Sequence, residues 1–378
     1  MRVSVFLPYF NDKIFLRQSI ESVLGQTIED FELILVNHAS TDGSRDLARG
    51  YVDCRIKHID MPKNYGAGTG LNLKAFLTIA TGTFVKFMCA DDVLLPDALE
   101  RMVSLAEKDE MVDVVFGNCQ LADEALKVKD DDLFSVCKGR WPESAMYEGV
   151  GNNSEFLRMI AHGHCLLPYP GAMVKRTLLN QISIDASLIM LYDVALWVAC
   201  MLKGCKMRFE SNPVCLYRVH SGQTSSLARM KTILNSIDYE KEAIVRMFAQ
   251  NLDLDLTRRV FAESAYVTKC ETIDDARFIV YEWFLRFRKS HLAYVELATM
   301  LNDEVKREWL EKKFSFNVYS LRSLYMGWDA QPQQKGFKQW KMTVRNSAGR
   351  ELSVMGLLWL LVDRIWKVMS FYEFRRKG

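Results

Sequence analysis

The first 120 residues alternate short apolar runs with segments of helical periodicity, and this alternation restricts the folds that the chain can adopt. The apolar runs are Val3–Leu7, Phe31–Val36, Thr83–Met88 and Val112–Phe116, and a further strand is predicted at Arg55–Ile59. Between them, apolar residues recur at a spacing of three and four, which is typical of amphipathic helices. Short apolar strands connected by helices build a mostly parallel sheet that is covered on both faces. We therefore predict an α/β domain whose ligands bind at the carboxyl ends of the strands.

The pattern changes twice along the chain. Residues 120–150 are polar and weakly periodic, so we expect an excursion from the sheet there. Helical spacing becomes continuous after about residue 225 and persists to about residue 328. We accordingly place the α/β domain at 1–225, a helical domain at 226–328, a linker at 329–350 and an amphipathic C-terminal helix at 351–378.

Composition excludes several classes of protein. The chain is 49% hydrophobic and 25% charged, with 20 Gly and 8 Pro in 378 residues, which excludes collagen and a disordered chain. A net charge of +2 is too balanced for a dedicated nucleic-acid binder, so we expect no nucleic-acid partner. Nine cysteines without a CxxC pair predict buried free thiols in a reducing cytoplasm. Apolar stretches fall short of the roughly 20 residues that span a bilayer.

Two adjacent carboxylates, Asp91 and Asp92, end the predicted strand in the segment FVKFMCADD. Adjacent acids repel one another, and a divalent cation can neutralise them. Oxygen ligands suit Mg²⁺ or Mn²⁺, which usually keep substrate phosphates in their coordination shell. The alternative is a helix N-terminus, since acids favour helix starts and the sequence LLPDAL follows.

Asp193 and His220 are further candidates. Asp193 opens an amphipathic helix in LYDVALW, where helix capping explains an acid equally well. His220 follows a predicted strand in YRVHSGQTS, and a solitary histidine is more often structural than a ligand. Neither motif identifies a function by itself.

The combination of these motifs is more specific than any one of them. LPYFND, QSIESVLGQTIEDFELILVNHASTDGS, a Gly-rich turn, GTFVKFMCADDVLLPDAL, YDVALW and YRVHSGQTS occur in this order. The order resembles that of family 2 glycosyltransferases of the GT-A fold, over roughly residues 1–225. The resemblance implies a Rossmann-like, mostly parallel sheet flanked by helices and followed by a helical region. It also implies transfer of a sugar from a nucleotide-diphosphate sugar to an acceptor hydroxyl, with inversion of the anomeric centre.

The resemblance also implies which residues bind the donor. Pro8 and Tyr9 would line the pocket for the nucleotide base, and Asp91 would approach the ribose or the sugar. His38 stands where the family commonly has an acid that contacts the base, which weakens the inference of a uridine nucleotide. Lys74 would help to neutralise the diphosphate, and a solvated helix lysine is the alternative.

Three residues match the positions that perform the chemistry in this family. Asp92 would hold the Mn²⁺ or Mg²⁺ ion that bridges the diphosphate, and His220 would complete that metal site. Asp193 matches the general base, which removes the proton of the acceptor hydroxyl. One base opposite the leaving group gives single displacement and hence inversion.

The C-terminal segment 351–378 carries a wide apolar band and ends in Arg375, Arg376 and Lys377. This pattern is typical of a helix lying at a membrane surface, on the inner face of the cell membrane. The alternatives are docking on the protein's own helical domain or on a second subunit, which leaves a homo-oligomer open. Membrane contact would fit a saccharide or lipid-linked saccharide acceptor in surface polysaccharide biosynthesis. The competing function is a catalytically silent, nucleotide-binding scaffold that organises other polysaccharide enzymes.

Overall fold

A computed structural model describes most of the chain, with gaps. The described residues are 1–65, 70–109, 111–133, 146–147, 150–164, 167–185, 187–223 and 227–326. The predicted linker 329–350 and C-terminal helix 351–378 lie outside them. The chain divides into two compact units, which are Met1–Phe156 with Leu166–Gln223 and Leu157–Cys165 with Thr224–Gly378. The predicted domain boundary near residue 225 stays a prediction.

The first unit is built on a sheet of eleven strands. In chain order they are β1 (Val3–Tyr9), β2 (Phe31–Asn37), β3 (Ile56–Asp60), β4 (Phe84–Phe87), β5 (Val93–Leu94), β6 (Val114–Ala122), β7 (Val128–Asp132), β8 (Met146–Tyr147), β9 (Val150–Gly151), β10 (Ala172–Lys175) and β11 (Met207–Arg218).

Helices connect these strands and make up the second unit. They are α1 (Lys13–Leu24), α2 (Ser44–Arg49), α3 (Gly70–Leu77), α4 (Ala98–Glu107), α5 (Asn153–Ala161), α6 (Arg176–Leu179), α7 (Tyr192–Leu202), α8 (Leu227–Asn251), α9 (Leu254–Val260), α10 (Ile273–Arg288), α11 (His291–Asn302), α12 (Glu304–Phe314) and α13 (Val318–Met326). A short 3₁₀ turn covers Val267–Lys269.

The sheet is parallel in its first half. The main strand order is β3-β2-β1-β4-β10-β6-β11-β9-β8, with β5 and β7 joined to β11 and β6. β1 pairs in parallel with both β2 and β4, so the three strands end at one edge. β10 runs antiparallel between β4 and β6, and β6 is again parallel to β11. The predicted mixed α/β fold with a mostly parallel sheet is confirmed, and the central strands are buried on both faces.

One expectation was wrong in part. Residues 120–150 were expected to leave the sheet, yet β6 extends to Ala122 and turns back as β7, which pairs with it. The short strands β8 and β9 also join the sheet. β7 reads VKDDD and is exposed or partly exposed along its whole length, and for this reason the segment showed no apolar run.

A buried carboxylate, that of Glu32, lies at the amino ends of the parallel strands. Glu32 of β2 is 1% exposed and accepts hydrogen bonds from the Ser4 hydroxyl (2.6 Å) and from the Thr81 backbone N–H (2.7 Å). Its other oxygen lies 2.5 Å from the Lys57 ammonium. Burial alone would raise the pKa of Glu32, but Lys57 and the hydroxyls lower it to about 2. The carboxylate therefore links β1, β2, β3 and the turn before β4.

The second unit is helical, and α10 occupies its centre. Thr272 and Asp275 form a capping box at the start of α10, which satisfies backbone N–H groups that the helix leaves unpaired. α10 is buried on all sides over the consecutive residues Phe278–Leu285, which include Trp283 and Phe284. The ring of Phe284 contacts that of Phe248 from α8 at 5.4 Å between centroids. Aromatic packing around α10 thus forms a core for this unit.

Among the described residues, the structure shows neither a disulfide bond nor a helix that could span a membrane. Seven cysteines lie in the described part of the chain, and all are free thiols. Burial was predicted for the cysteines and holds for five of these seven, but Cys54 is exposed and Cys89 is partly exposed. In the same part of the chain, no helix combines the length and hydropathy of a membrane span.

We predict that Glu32→Gln lowers the free energy of unfolding by about 1–3 kcal/mol at pH 7, because Lys57 loses its charged partner. The pKa of Glu32 is lower in the folded state, so its stabilising effect is complete above its ordinary value of 4.5 and is lost toward pH 2. Denaturant titrations at pH 7 and pH 3 measure this difference, which should shrink at pH 3. The exposed residue Glu29 supplies the control, since Glu29→Gln should change stability little at either pH.

Candidate functional site

The loops after β1 and β2 are tied together at the strand ends. The Asn11 backbone N–H donates to the Ser40 hydroxyl (3.1 Å), and the Thr41 N–H donates to the Asn11 side-chain oxygen (2.8 Å). The His38 N–H donates to the Tyr9 carbonyl at 3.0 Å. Tyr9 and His38, both predicted to bind the donor, therefore lie side by side, and both side chains are buried. Pro8 is half-buried.

A charged cluster flanks Tyr9 at the end of β3. Asp60 accepts hydrogen bonds from Asn37 (2.9 Å), from Arg45 (3.1 Å) and from Arg49 (2.7 Å). The Arg45 guanidinium is the main reason that the pKa of Asp60 lies well below its usual value. Burial, followed by the negative charge of Asp60, raises the pKa of the Tyr9 phenol far above its usual value. Tyr9 therefore stays neutral at physiological pH.

Asp91 and His220 meet although 129 residues separate them in sequence. His220 Nε2 lies 3.1 Å from Asp91 Oδ2, and the imidazole side chain is 10% exposed. β5 pairs antiparallel with β11, which leads directly to His220, and this pairing brings the two loops together. The His220 ring also packs on Phe15 of α1, at 4.6 Å between ring centroids. The result is a carboxylate and an imidazole held at the edge where β4 ends.

Asp92 is buried beneath this pair. It is 1% exposed, and its Oδ1 accepts a hydrogen bond from the Arg218 N–H at 2.9 Å. Its Oδ2 has no hydrogen-bond partner among the described residues. Burial, followed by the charge of Asp91, raises the pKa of Asp92 well above its usual value. The alternative that these acids cap a helix was wrong, because α4 begins at Ala98 with Asp97 as its N-cap.

Two residues missed in the sequence adjoin the pair. Burial is the main cause that raises the pKa of Asp12 to about 6, and the charge of Asp91 adds to the rise. The hydrogen bond that Asp12 accepts from the Phe10 N–H lowers the pKa and opposes these effects. Cys89 offers a thiol at the end of β4. Within the described part of the chain, ligand atoms of Cys89, Asp91 and Asp92 all lie within 4.8 Å of one another. The signal for Asp12 was an acid directly after the first strand.

Asp193 lies in the first turn of α7, where its Oδ1 accepts from the Val194 N–H at 2.8 Å. The helix N-cap is Leu191, but Asp193 accepts from an N–H of the first turn, so the alternative of a helix-end role stays open. Tyr169 lies between the two acidic regions. Burial, followed by the charges of Tyr192, Cys89 and Asp193, raises the pKa of Tyr169 well above its usual value. Asp193 and the end of β4 thus act electrostatically on the same tyrosine.

A cavity of about 610 Å³, the size of a small-molecule site, is lined by Phe15 and Arg218, which contact His220 and the Asp91 carbonyl; Asp91 and His220 are not among its lining residues. Its lining includes the charged residues Lys13, Arg17 and Glu124 and the apolar residue Ile14. Lys74, in contrast, lies exposed on α3 with no contact to the pair described above. The site residues predicted from sequence therefore fall into a Tyr9–His38 group and an Asp91–Asp92–His220 group, with Asp193 related to the second through Tyr169.

Comparison with known proteins identifies the family. Residues 4–182 match the family model described as Glycosyl transferase family 2. These residues belong to glycosyl transferase family 2. An uncharacterized glycosyltransferase of Methanocaldococcus jannaschii is 28% identical over 233 residues, which is 61% of this chain and 74% of that protein. A Bacillus subtilis protein named for teichuronic acid biosynthesis, TuaG, is 27% identical over 226 residues, which is 59% of this chain and 81% of that protein.

Solved structures show the same fold. The crystal structure of S. aureus TarS in complex with UDP-GlcNAc matches with a TM-score of 0.52 at 15% identity. The match covers 86% of this chain and 91% of that chain. The family match covers residues 4–182, and the likeness to TarS shows that the chain has a GT-A fold with a helical C-terminal region.

We predict that Tyr169→Phe leaves the free energy of unfolding unchanged or raises it by up to about 1 kcal/mol. The Tyr169 hydroxyl is buried without a hydrogen-bond partner among the described residues, so no bond is lost on its removal. Denaturant titration at neutral pH measures the change. The control is Ser4→Ala, which removes a hydroxyl that donates to buried Glu32 and should destabilise the protein. A clear loss of stability in Tyr169→Phe would contradict this picture.

Proposed function

We propose that the protein transfers a glycosyl unit from a nucleoside-diphosphate sugar to an acceptor hydroxyl, with a divalent cation and with inversion. The observation that carries the proposal is the approach of Asp91 and His220 to 3.1 Å at the end of β4, in a chain of glycosyl transferase family 2. A ligand bound by both side chains would explain why an acid and an imidazole from such distant segments lie next to each other.

We assign Asp91 and His220 as the residues that hold the cation. Asp91 is the more accessible of the two adjacent acids, and His220 lies against it. Buried Asp92 has an unpartnered Oδ2, and one of its carboxylate oxygens lies within 4.8 Å of the Asp91 ligand atom, which supports a third contribution to the same site. A donor set of carboxylate oxygens and an imidazole nitrogen suits Mn²⁺ or Mg²⁺. This assignment moves Asp91 from the sugar contact expected from sequence to the cation.

Charge in the site favours such a cation. Asp12, Asp91 and Asp92 interact electrostatically, and the charge of Asp91 raises the pKa of both its neighbours. Bound to this site, a divalent ion would stabilise the negative charge that develops on the leaving diphosphate. On the other side of β1, Tyr9 and His38 are the residues that we assign to the nucleotide base. Lys74 remains a proposed contact of the diphosphate.

Asp193 is our proposed general base. Its position in the first turn of α7, near the charged Cys89–Asp92 loop through Tyr169, supports this role. A carboxylate that accepts the proton of the acceptor hydroxyl makes the oxygen a better nucleophile. Attack from the face opposite to the diphosphate then replaces one bond by another in a single displacement, which inverts the anomeric centre.

The acceptor that we propose is a saccharide or lipid-linked saccharide in surface polysaccharide biosynthesis. The name of the Bacillus subtilis relative, which refers to teichuronic acid biosynthesis, supports this class of pathway. Peripheral membrane contact through residues 351–378 and a homo-oligomer stay predictions from the sequence, because that segment lies outside the described residues.

The test is a screen of nucleoside-diphosphate sugars for transfer or hydrolysis, with Mn²⁺, with Mg²⁺ and with chelator. We expect activity that depends on the cation. Asp193→Asn should lower kcat by about 10²–10⁴-fold, because the proton of the acceptor loses its base. Asp91→Asn and His220→Gln should raise the Mn²⁺ concentration for half-maximal activity by about tenfold or more.

The matched control is Asp97→Asn, five residues beyond Asp92. The Asp97 side chain is 54% exposed and pairs with Arg101 at 3.0 Å, so its loss should change kcat little. Full activity in Asp193→Asn would reject the general base. Activity that persists in the presence of chelator, or the absence of activity with every sugar nucleotide, would reject the proposed reaction.

A further inference from the structure

Arg218 is the largest polar side chain that is fully buried in the described part of the chain, with 1% exposure. A guanidinium carries five N–H donors and a permanent charge, so its burial is costly unless acceptors surround it. Arg218 lies at the end of β11, two residues before His220. The structure therefore maintains a buried cation directly beneath the proposed cation site.

The guanidinium joins three segments that are distant in sequence. Its Nε donates to the backbone carbonyl of Asp91 at 2.6 Å. One terminal nitrogen donates to the Gln18 side-chain oxygen at 2.7 Å, and the other donates to the Glu124 carbonyl. These acceptors belong to the loop after β4, to α1 and to the turn between β6 and β7. The planar geometry of the group allows all three hydrogen bonds at once.

The backbone of Arg218 extends these contacts to Asp92 and, through Gln223, to His220. Its N–H donates to Asp92 Oδ1, and its carbonyl accepts from the Gln223 side-chain amide. The Gln223 side-chain oxygen in turn accepts from the His220 N–H at 3.4 Å. The ring of Phe15 lies 4.6 Å from the guanidinium carbon and 4.6 Å from the His220 ring centroid. Phe15 and Gln223 thus connect Arg218 to His220, and Arg218 contacts Asp91 directly.

We propose that Arg218 is a positioning residue, which holds Asp91 and His220 at the separation that binds a divalent cation. The inference rests on the proposed function, because it assumes that this pair binds the cation. Groups that orient metal ligands from behind typically change metal affinity or activity by about 10–100-fold when they are removed. A lysine could reach one of the three acceptors and could not join them, since it lacks the planar fork.

The experiment measures Mn²⁺ binding to the full chain by electron paramagnetic resonance of the free ion, with folding checked by circular dichroism. We expect Arg218→Met to weaken Mn²⁺ binding by about 10–100-fold, and Arg218→Lys to restore it only in part. Arg208→Met is the matched control, because Arg208 lies in the same strand and pairs with Asp109 at 3.3 Å instead. Its Mn²⁺ affinity should equal that of the wild type.

Hydrogen exchange provides a readout that needs no cation. Backbone amides of residues 88–94 and 216–223 should exchange faster in Arg218→Met and Arg218→Lys than in the wild type or Arg208→Met. A folded Arg218→Met variant with wild-type Mn²⁺ affinity and unchanged exchange would overturn the proposal. If neither Arg218 variant folds, Gln18→Leu decides by the same readouts, since Gln18 is exposed and its loss removes one anchor. Wild-type Mn²⁺ affinity and exchange in that variant would also overturn it.

The two hypotheses fail in different ways. A wild-type protein that binds no Mn²⁺ would reject the proposed cation and with it the proposed reaction. In that case unchanged amide exchange in the Arg218 variants rejects the positioning role as well, whereas faster exchange shows that Arg218 does hold the two loops.

Discussion

The parallel pairing of β1 with β2 on one side and β4 on the other is the constraint on which the site depends. Residues Val3–Phe6 of β1 are in register with both neighbours, so the three strands end at one edge. The loops that follow carry Tyr9, His38 and Asp91. Parallel strands leave their carboxyl ends on the same side, and backbone hydrogen bonds hold that edge whatever side chains the loops bear.

Acidic groups at the two ends of this sheet have opposite effects on stability. Glu32 is buried with an ammonium and several donors, and its low pKa shows that the folded state favours its charge. Asp12 and Asp92 are buried near another acid, and their raised pKa values show that the folded state disfavours their charge. The fold is less stable at the strand ends for this reason, as is common at binding sites, and the Arg218 guanidinium interacts favourably with the charges of Asp92 and Asp91.

How much of the molecule the sequence predicts depends on whether the signal is local. The strands β1, β2 and β4 were predicted because each contains a short apolar run, and α1 because its apolar residues repeat with helical spacing. β6 was predicted in part, as the apolar run Val112–Phe116, whereas β7 was not recognised, since its sequence VKDDD is polar and contains no apolar run. The antiparallel insertion of β10 between β4 and β6 leaves no trace in local periodicity, because strand direction is set by partners distant in the chain.

The sequence by itself determined the α/β class, the family resemblance and the candidate acids, because residue type and spacing carry that information along the chain. The tertiary structure decided which of the acids faces outward: Asp91 meets His220, whereas Asp92 is buried against the Arg218 backbone. It also revealed Arg218 and Asp12 as neighbours of that pair. The physical reason is that burial and long-range hydrogen bonds arise only when strands far apart in sequence pair, and neighbouring carboxylates of identical type then acquire different environments.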